Sequence, residues 1–397
     1  MEKDNNQLSG FSSEFKEQVV WDFRISRIET FLFRALIRTP VKTAFGEMKD
    51  RPALLLRVED EDGAFGWGEV WCNFPAFGAE HRARLIESVL APYILQRSFK
   101  GQVFDELTKI THPLALQTGE IGPFSQAISG LDIALWDLAA RRAGVPLYAL
   151  LGGRKNKAIP LYASGINPDG ALDTVERCRK DEFSAFKLKV GFDSDRDFKN
   201  IKAIVSGLWP GEVFMIDANQ AWDLETAQSM ISKISNFPIA WLEEPLAADR
   251  PSEEWAELAR FSLLPLSAGE NICDRETFQE IITSGSIAVI QPDVCKWGGL
   301  TGCRWVASKA LNAGRRYCPH FLGGGIGLIV SAHLLAATGG DGLLEVDINP
   351  NPLREGLAQP FPKVSKGMLT LSDGPGLGVE PNMDIVRKFL VEHKDFY

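Results

Sequence analysis

The sequence predicts an α/β fold in which a barrel of alternating strands and helices follows a smaller α+β domain. Short apolar runs that end in a polar residue recur between residues 185 and 345, and those polar residues lie 23 to 28 positions apart. A strand, a loop and a helix together take about 30 residues. The chain has 397 residues, which is enough for a barrel of about 250 residues and a second domain.

Seven polar residues follow the apolar runs AFKLK, VFMID, IAWLE, PLSAGE, IAVIQPD, RRYCPH and GLLE. They are Lys189, Asp217, Glu243, Glu270, Asp293, His320 and Glu345. In a parallel barrel the carboxyl ends of the strands form one face, and active sites lie there. We therefore expect these seven side chains to converge on one catalytic site.

Residues 22–150 precede the barrel and have a different pattern. DFRISRIETFLFRAL and RPALLLRVEDEDGAFGWGEV alternate in short β-rich runs around a DEDG turn, which predicts antiparallel strands. Residues 81–95, 104–111 and 124–144 have helical periodicity. We expect an α+β domain here, preceded by a flexible extension at 1–21.

The barrel is expected at 151–370, with its first strand in AIPLYASG. Helices are predicted between the later strands, at 199–211, 224–237, 252–262, 275–285, 302–314 and 327–340. Several of them end in Gly or Asn, as helix C-termini often do. Residues 371–397 are expected to form loop and short helix and to pack back on the first domain.

Composition excludes several classes of function. The formal net charge is −9 and no basic run stands out, which argues against a nucleic-acid partner. The sequence contains no stretch of about 18 apolar residues, so we expect no membrane span. The N-terminus is polar and lacks the apolar core of a signal peptide. The six cysteines form no CxxC pair, so we expect a reduced, cytoplasmic setting. A small-molecule carboxylate is the expected partner, and a homo-oligomer is the expected assembly.

Asp217, Glu243 and Glu270 form the strongest candidate for a metal site. They end three consecutive strands, and hard cations such as Mg²⁺ take carboxylate oxygens together with water or substrate oxygens. No cluster of His or Cys competes with them, which argues against zinc.

Lys187 and Lys189 alternate with apolar residues, so both are predicted to face the barrel interior. Burial and a second ammonium nearby would lower the pKa of one lysine toward neutrality, as a general base requires. Asp293 and His320 end the next two strands after Glu270. A carboxylate that accepts from one imidazole nitrogen leaves the other nitrogen free to act as an acid or a base.

The chain resembles the enolase superfamily, specifically its mandelate racemase-like branch, over residues 25–385. The resemblance rests on GLDIALWDLAAR, FKLKVG, MIDANQAW, WLEEPL, SAGEN, QPDVCKWGGLTG, CPH and LLEVD. It implies a capping domain on a (β/α)7β modified TIM barrel. It also implies Mg²⁺ held by Asp217, Glu243 and Glu270 rather than by Glu244.

The resemblance assigns further roles. Lys189 would be the base on one face of the substrate, tuned by Lys187, and the Asp293–His320 pair would serve the opposite face. Glu345 would hydrogen-bond a substrate carboxylate oxygen, and Asn219 would contact substrate. The related muconate-lactonising branch uses a lysine after the sixth strand, so Lys296 is an alternative second base.

The shared reaction would remove a proton from the carbon next to a carboxylate, through an ene-diolate. We expect dehydration of a hydroxy acid or acid sugar to a 2-keto acid. Racemisation or epimerisation, cycloisomerisation, and a non-catalytic carboxylate-binding protein are the alternatives.

Specificity is expected from the cap segments 39–51 and 71–82, with Arg51, Trp71 and Lys296 as candidate substrate contacts. These segments carry cations beside aromatics, so we expect a monocarboxylate with a compact or partly apolar distal end. Residues Gly323 to Gly327 could bind phosphate, but we favour the simpler role of leaving room beside His320.

Overall fold

The structure, a computed structural model, describes residues 23–43, 46–95, 103–153 and 158–397. The flexible extension expected at 1–21 lies outside these residues. The described part contains a four-stranded antiparallel sheet with helices and a barrel-like sheet of parallel strands. This arrangement confirms the predicted fold class, a modified barrel with a capping domain.

The cap is built from two long strands, one strand of six residues and a set of helices that pack on their sheet. Its elements are β1 (Ile25–Thr43), β2 (Gly46–Asp60), β3 (Phe65–Val70), α1 (Gly78–Leu85), α2 (Ala91–Leu95), α3 (Val103–Thr118) and α4 (Ile121–Arg142). The turn between β2 and β3 is the predicted DEDG turn. The Asp60 carboxylate accepts the backbone N–H groups of Asp62 and Ala64 at 3.0 and 2.9 Å, and Gly63 supplies a φ of +83° that favours glycine.

The α4 helix packs directly on β3 because that strand carries two glycines on the facing side. A Cβ atom at Gly66 would meet the Ala134 carbonyl oxygen at 2.1 Å, and one at Gly68 would meet the Gly130 carbonyl oxygen at 2.0 Å. The sequence GWG in this strand therefore fits a close approach of helix and strand backbones.

Eight parallel strands form the barrel, and helices alternate with them. The strands are β4 (Ala158–Ile166), β5 (Ala185–Lys189), β6 (Val213–Asp217), β7 (Ile239–Glu243), β8 (Leu266–Ala268), β9 (Val289–Ile290), β10 (Arg316–Tyr317) and β11 (Leu344–Asp347). Their order is β10-β9-β8-β7-β6-β5-β4, with β11 on the free side of β4. All strand ends that carry the predicted polar residues therefore lie at one face.

Of the helices that follow the cap helices, the first precedes the barrel strands, the next seven alternate with them, and the last two follow β11. They are α5 (Leu147–Leu150), α6 (Ala171–Lys180), α7 (Ser194–Ser206), α8 (Leu224–Ile234), α9 (Ser252–Phe261), α10 (Arg275–Ser284), α11 (Gly299–Asn312), α12 (Gly325–Thr338), α13 (Pro352–Gly356) and α14 (Met383–Val386). The six predicted barrel helices are α7 to α12. Within the described residues, no helix is long and apolar enough to cross a membrane.

Two parts of the chain differ from the sequence prediction. The α6 helix was not predicted, because only Ala171, Val175 and Cys178 supply its apolar buried side. Three strands follow the last barrel strand: β12 (Val364–Ser365) and β13 (Met368–Thr370) lie before residue 371, and β14 (Leu390–Phe396) lies in the tail, which was expected to form only loop and short helix. The β14 strand pairs antiparallel with β1 and extends the cap sheet.

Candidate active site

The predicted polar residues meet at a cavity of about 220 Å³ at the carboxyl face of the barrel. Those that line it are Lys189, Asp217, Asn219, Glu270, Lys296, His320 and Glu345. The cap contributes Val41, Trp71 and Phe74. A larger groove of about 760 Å³ lies on the surface beside α10 and Trp305, and none of the predicted residues lines it.

The three predicted metal ligands are buried and stand side by side. Asp217 ends β6 and Glu243 ends β7, and the parallel register pairs the two residues directly. Glu270 follows β8 after a single glycine, Gly269. The sequence places a carboxylate at each strand end because an apolar strand of similar length precedes each one.

Neighbouring polar groups orient two of these carboxylates. Asp217 Oδ1 accepts the backbone N–H of Asn219 at 2.8 Å, which is possible because Asn219 adopts a left-handed φ of 45°. Glu243 accepts hydrogen bonds from Lys187 Nζ and Gln291 Nε2, both at 2.6 Å. Burial raises the pKa of Glu243 to about 7, although the ammonium of Lys187 acts to lower it.

The donor set fits a hard dication, although the three carboxylates do not converge on one point. In the described part of the chain, the one group of three metal-type donors within 4.8 Å of one another is Glu29, His393 and Asp395 on the cap. Arg27 and Arg57 already pair with that group, so it has little need of a cation. The barrel carboxylates instead contact protein partners: Asp217 contacts Lys189, Glu243 contacts Lys187, and Glu270 contacts His320.

The two lysines of β5 differ in their surroundings. Lys187 is 1% exposed, lies 2.6 Å from Glu243 Oε1 and 2.7 Å from Glu345 Oε1, and does not line the cavity. Lys189 lines the cavity, and its Nζ lies 2.5 Å from Asn219 Oδ1 and 3.3 Å from Asp217 Oδ2.

The expected fall of a lysine pKa is not observed in this arrangement. Burial acts to lower the pKa of Lys187, but Glu243 and Glu345 raise it well above its ordinary value. Burial likewise acts to lower the pKa of Lys189, but Asp217, Glu270 and Glu345 together raise it above its ordinary value. The prediction was wrong because it considered the second ammonium and not the carboxylates around both lysines.

Asp293 and His320 form the predicted pair. His320 Nδ1 lies 2.8 Å from Asp293 Oδ2, while Asp293 Oδ1 accepts the backbone N–H of Cys295 at 2.8 Å. His320 Nε2 faces the cavity and contacts Glu270 Oε2. Burial acts to lower the pKa of His320, but Glu270 and Glu345 outweigh it and raise that pKa well above its ordinary value.

Glu345 lies between the two bases and accepts hydrogen bonds only. Its Oε1 accepts from Ser164 Oγ at 2.5 Å, and its Oε2 accepts the backbone N–H of Phe321 at 3.1 Å. Burial acts to raise its pKa, but Lys187 and His320 lower it to about 2. A hydrogen bond from Glu345 to a substrate carboxylate, as the resemblance implies, would therefore require this group to gain a proton.

Three of the four predicted substrate contacts line the cavity: Asn219, Trp71 and Lys296. Lys296 Nζ donates to Asn271 Oδ1 at 2.7 Å and lies 4.9 Å from the centre of the Trp71 ring. Arg51 does not line the cavity. It is 3% exposed and pairs with Asp347, a cavity residue, through its Nη2.

Several cavity residues were missed by the sequence analysis. Asn271 directly follows Glu270, and Asp347 lies two residues after Glu345, so it shares that residue's side of β11. Strand periodicity could have identified Asp347. Ser164 and Asn349 had no comparable signal, because neither follows an apolar run as its first polar residue.

Comparison with known proteins identifies both domains. Residues 27–152 match the mandelate racemase/muconate lactonizing enzyme N-terminal domain, and residues 171–385 match the enolase C-terminal domain-like family. A D-galactarolactone cycloisomerase of Agrobacterium fabrum is 28% identical, over 92% of this chain and 98% of that protein. An arabinonate dehydratase of Saccharolobus solfataricus is 30% identical, over 81% of this chain and 86% of that protein.

Solved structures agree with these matches. A mandelate racemase/muconate lactonizing enzyme from Bordetella bronchiseptica RB50 is 50% identical, with a TM-score of 0.86 over 92% of this chain and 99% of that one. A racemase from Streptomyces coelicolor with bound magnesium is 27% identical, with a TM-score of 0.81 over 92% of this chain and 100% of that one. Members of this superfamily use Mg²⁺. The chain is an enzyme of the enolase superfamily and belongs to its mandelate racemase/muconate lactonizing enzyme family.

Proposed function

We propose that the protein abstracts the α-proton of a hydroxy-carboxylate substrate in a Mg²⁺-dependent reaction, and that the outcome is dehydration to a 2-keto acid. Asp217, Glu243 and Glu270 would hold the metal. When bound there, Mg²⁺ would supply positive charge that stabilises the substrate carboxylate as it gains negative charge.

One observation carries this proposal: two groups that can exchange protons face one small cavity from different sides. Lys189 comes from β5 and His320 from the end of β10, and four strands of the sheet, β6 to β9, lie between them. A substrate held between the two groups would meet one of them on each face. The cavity also contains the carboxylates that a metal needs.

The proposed steps follow from these positions. Lys189 Nζ accepts the α-proton in its neutral amine form; a cation held at Asp217 would offset the carboxylate charge that raises the pKa of this lysine. The electron pair of the broken C–H bond passes into the substrate carboxylate to form an ene-diolate. His320 Nε2 then donates a proton to the β-hydroxyl, whose C–O bond breaks and releases water. The resulting enol becomes the 2-keto acid. Lys187 and Asp293 do not touch substrate in this scheme; they hold Glu243 and His320 in place.

The lining of the cavity supports a hydroxy acid with one carboxylate. Asn271 and Asn349 bring amide groups to the cavity, and Asp347, which pairs with Arg51, brings a carboxylate that would accept a hydrogen bond from a substrate hydroxyl. The cap side is apolar, with Val41 and Phe74. Relatives that act on acid sugars, such as the arabinonate dehydratase, are consistent with this substrate class.

A cycloisomerase is the second candidate, because the D-galactarolactone cycloisomerase covers nearly the whole chain. In that reaction a proton would return to carbon and no water would leave. A racemase or epimerase would use the same two faces without changing the bonds to oxygen. The three outcomes therefore differ in their products and not in the first step.

A deuterium-exchange screen tests the proposal. The purified protein is incubated in D₂O with a library of aldonates, aldarates, lactones and 2-hydroxy acids, with Mg²⁺ and with EDTA. We expect α-proton exchange or loss of water from at least one hydroxy acid, only with Mg²⁺. Exchange that proceeds equally with EDTA, or turnover of the lactones alone, would contradict the proposal.

A further inference from the structure

A carboxylate of the cap is buried against the barrel loop that follows His320. Glu69 lies near the end of β3 and is 2% exposed. Its Oε1 accepts the backbone N–H of Gly324, and its Oε2 accepts the backbone N–H of Gly327 at 2.8 Å. Among the residues that the structure describes, no lysine, arginine or histidine pairs with this carboxylate.

The N–H groups that Glu69 binds belong to the start of α12. The first N–H groups of a helix have no partner within the helix, and they favour a negative charge. Gly324 stands at the N-cap position of α12 and has no side chain that could accept them. Glu69 therefore supplies, from another domain, the acceptor that the barrel sequence lacks.

The glycines of this loop make the contact with Glu69 sterically possible. A Cβ atom at Gly323 or at Gly324 would lie 2.8 Å from Glu69 Oε1. A Cβ atom at Gly327 would lie 2.3 Å from the ring of Phe321. The run that we considered as a phosphate loop is thus filled by an internal carboxylate and an aromatic ring.

The same loop begins at His320. Phe321 donates its backbone N–H to Glu345, so the chain from His320 to Gly327 is fixed by the catalytic carboxylate at one end and by Glu69 at the other. A second cap residue strengthens this link, because Asn73 Nδ2 donates to the Leu322 carbonyl oxygen at 2.6 Å.

We propose that Glu69 is a positioning residue that sets His320 from the cap, so that the second acid–base group is correctly placed only when β3 is docked on the barrel. The inference rests on the proposed function for its catalytic consequence. Its structural part, that Glu69 orders residues 320–327, stands without knowledge of the substrate.

The test compares Glu69→Gln with a matched control, Asp137→Asn. Asp137 is also a buried cap carboxylate, and it accepts the backbone N–H groups of Trp67 and Leu377 at 2.8 and 2.7 Å. Hydrogen–deuterium exchange of peptides is measured for both variants with Mg²⁺ present. We expect the amides of 321–327 to exchange at least about tenfold faster in Glu69→Gln and at the wild-type rate in Asp137→Asn.

Kinetics on a substrate found by the screen provide the second measurement. We expect Glu69→Gln to lower kcat for the step that needs His320 by about tenfold or more, because small misplacements of a catalytic group have effects of this size. The KM, the Mg²⁺ affinity and α-proton exchange by Lys189 should change less than about threefold. Equal losses in both proton transfers would overturn the positioning role.

Unchanged exchange of 321–327 in Glu69→Gln would overturn the proposal whether or not a substrate is known. Failure of the screen alone would leave the loop measurement valid and would count only against the proposed function. If Glu69→Gln does not fold, Asn73→Ala replaces it, because it removes the other cap contact to the same loop. Faster exchange of 321–327 in Asn73→Ala then supports the proposal, and wild-type exchange overturns it.

Discussion

Lys187 and Lys189 lie two residues apart on one strand, yet only Lys189 reaches the cavity. Lys187 is enclosed between Glu243 and Glu345, so it compensates charge rather than meeting substrate. Lys189 has Asp217 and Asn219 as neighbours and retains some exposure. Both lysines face the barrel interior, as the strand alternation predicted. Only Lys189, the last residue of β5, is close enough to the carboxyl face to line the cavity, so only Lys189 is a candidate base.

Removing Lys187 should destabilise the metal-free protein more than removing Lys189. Lys187→Met leaves two buried carboxylates without their shared ammonium, and loss of one partner of a buried ion pair costs about 3–5 kcal/mol. Urea unfolding in EDTA, followed by circular dichroism, measures the difference against Lys189→Met. Equal unfolding midpoints for the two variants would contradict the structural role given to Lys187.

Mg²⁺ binding should depend on three carboxylates and not on a fourth beside them. Asp217→Asn, Glu243→Gln and Glu270→Gln are each expected to weaken Mg²⁺ binding at least about tenfold, because each removes a charged oxygen ligand. Glu244→Gln is the control, since Glu244 is buried next to Glu243 and holds Asn271 through hydrogen bonds at 3.0 and 2.9 Å. Titration calorimetry measures the affinity; a larger loss in Glu244→Gln than in Glu243→Gln would reassign the ligand.

At the scale of elements, the sequence predicted the barrel because each strand carries a local signal, an apolar run that ends in a polar group. Asp217, Glu243 and His320 were found by this signal alone. Contacts between the domains had no such signal. Glu69 meets a loop about 255 residues away, and Arg51 meets Asp347 across 296 residues. No spacing rule links positions that far apart, so Arg51 was assigned to substrate when its partner is a protein carboxylate.

The α12 helix contains a histidine that should make stability depend on pH. His333 is fully buried; its Nδ1 accepts the backbone N–H of Tyr148 at 3.1 Å, and its Nε2 lies 3.2 Å from the Leu377 carbonyl oxygen. Burial lowers the pKa of His333 from 6.5 to about 4. The unfolded chain binds a proton at His333 more readily than the folded protein does. The contribution of neutral His333 to the free energy of unfolding should therefore be fully present above pH 6.5 and should be lost as the pH decreases toward 4.

Between pH 6.5 and 4 the free energy of unfolding should fall by about 3 kcal/mol on account of His333, since one pKa unit corresponds to about 1.4 kcal/mol. Urea unfolding at several pH values between 7 and 4.5 measures it. The control is His333→Gln, which keeps an acceptor and a donor but cannot take up the proton. If the wild type and His333→Gln lose stability in parallel, His333 is not the source of the pH dependence.

At the scale of the whole molecule, we propose that the chemistry and the choice of substrate lie in different domains. The barrel provides the carboxylates and the two proton-transfer groups, while the cap provides the apolar wall of Val41, Trp71 and Phe74. Binding differences between substrates should therefore arise mainly where the distal end of the substrate meets the cap. This division explains how one site can serve relatives with different reactions.

Trp71→Ala should change substrate preference without changing metal binding. The loss of this wall is expected to alter the ratio of kcat/KM between two hydroxy acids of different size by about tenfold or more, in the range that pocket contacts provide. Phe77→Ala serves as the control, because Phe77 lies in the same segment but is 75% exposed. Mg²⁺ affinity should stay within about threefold. An equal loss on every substrate would contradict the specificity role of Trp71.

The central claim is that Lys189 and His320 serve opposite faces of one bound substrate. It is tested most directly by α-proton exchange in D₂O, with Mg²⁺, on both stereoisomers of the substrate that the screen identifies. Lys189→Ala should abolish exchange of one isomer and His320→Asn should abolish net turnover, while Lys296→Ala keeps both proton transfers. The claim would be contradicted if Lys296→Ala abolished proton transfer and His320→Asn left turnover intact, because Lys296 would then be the second base.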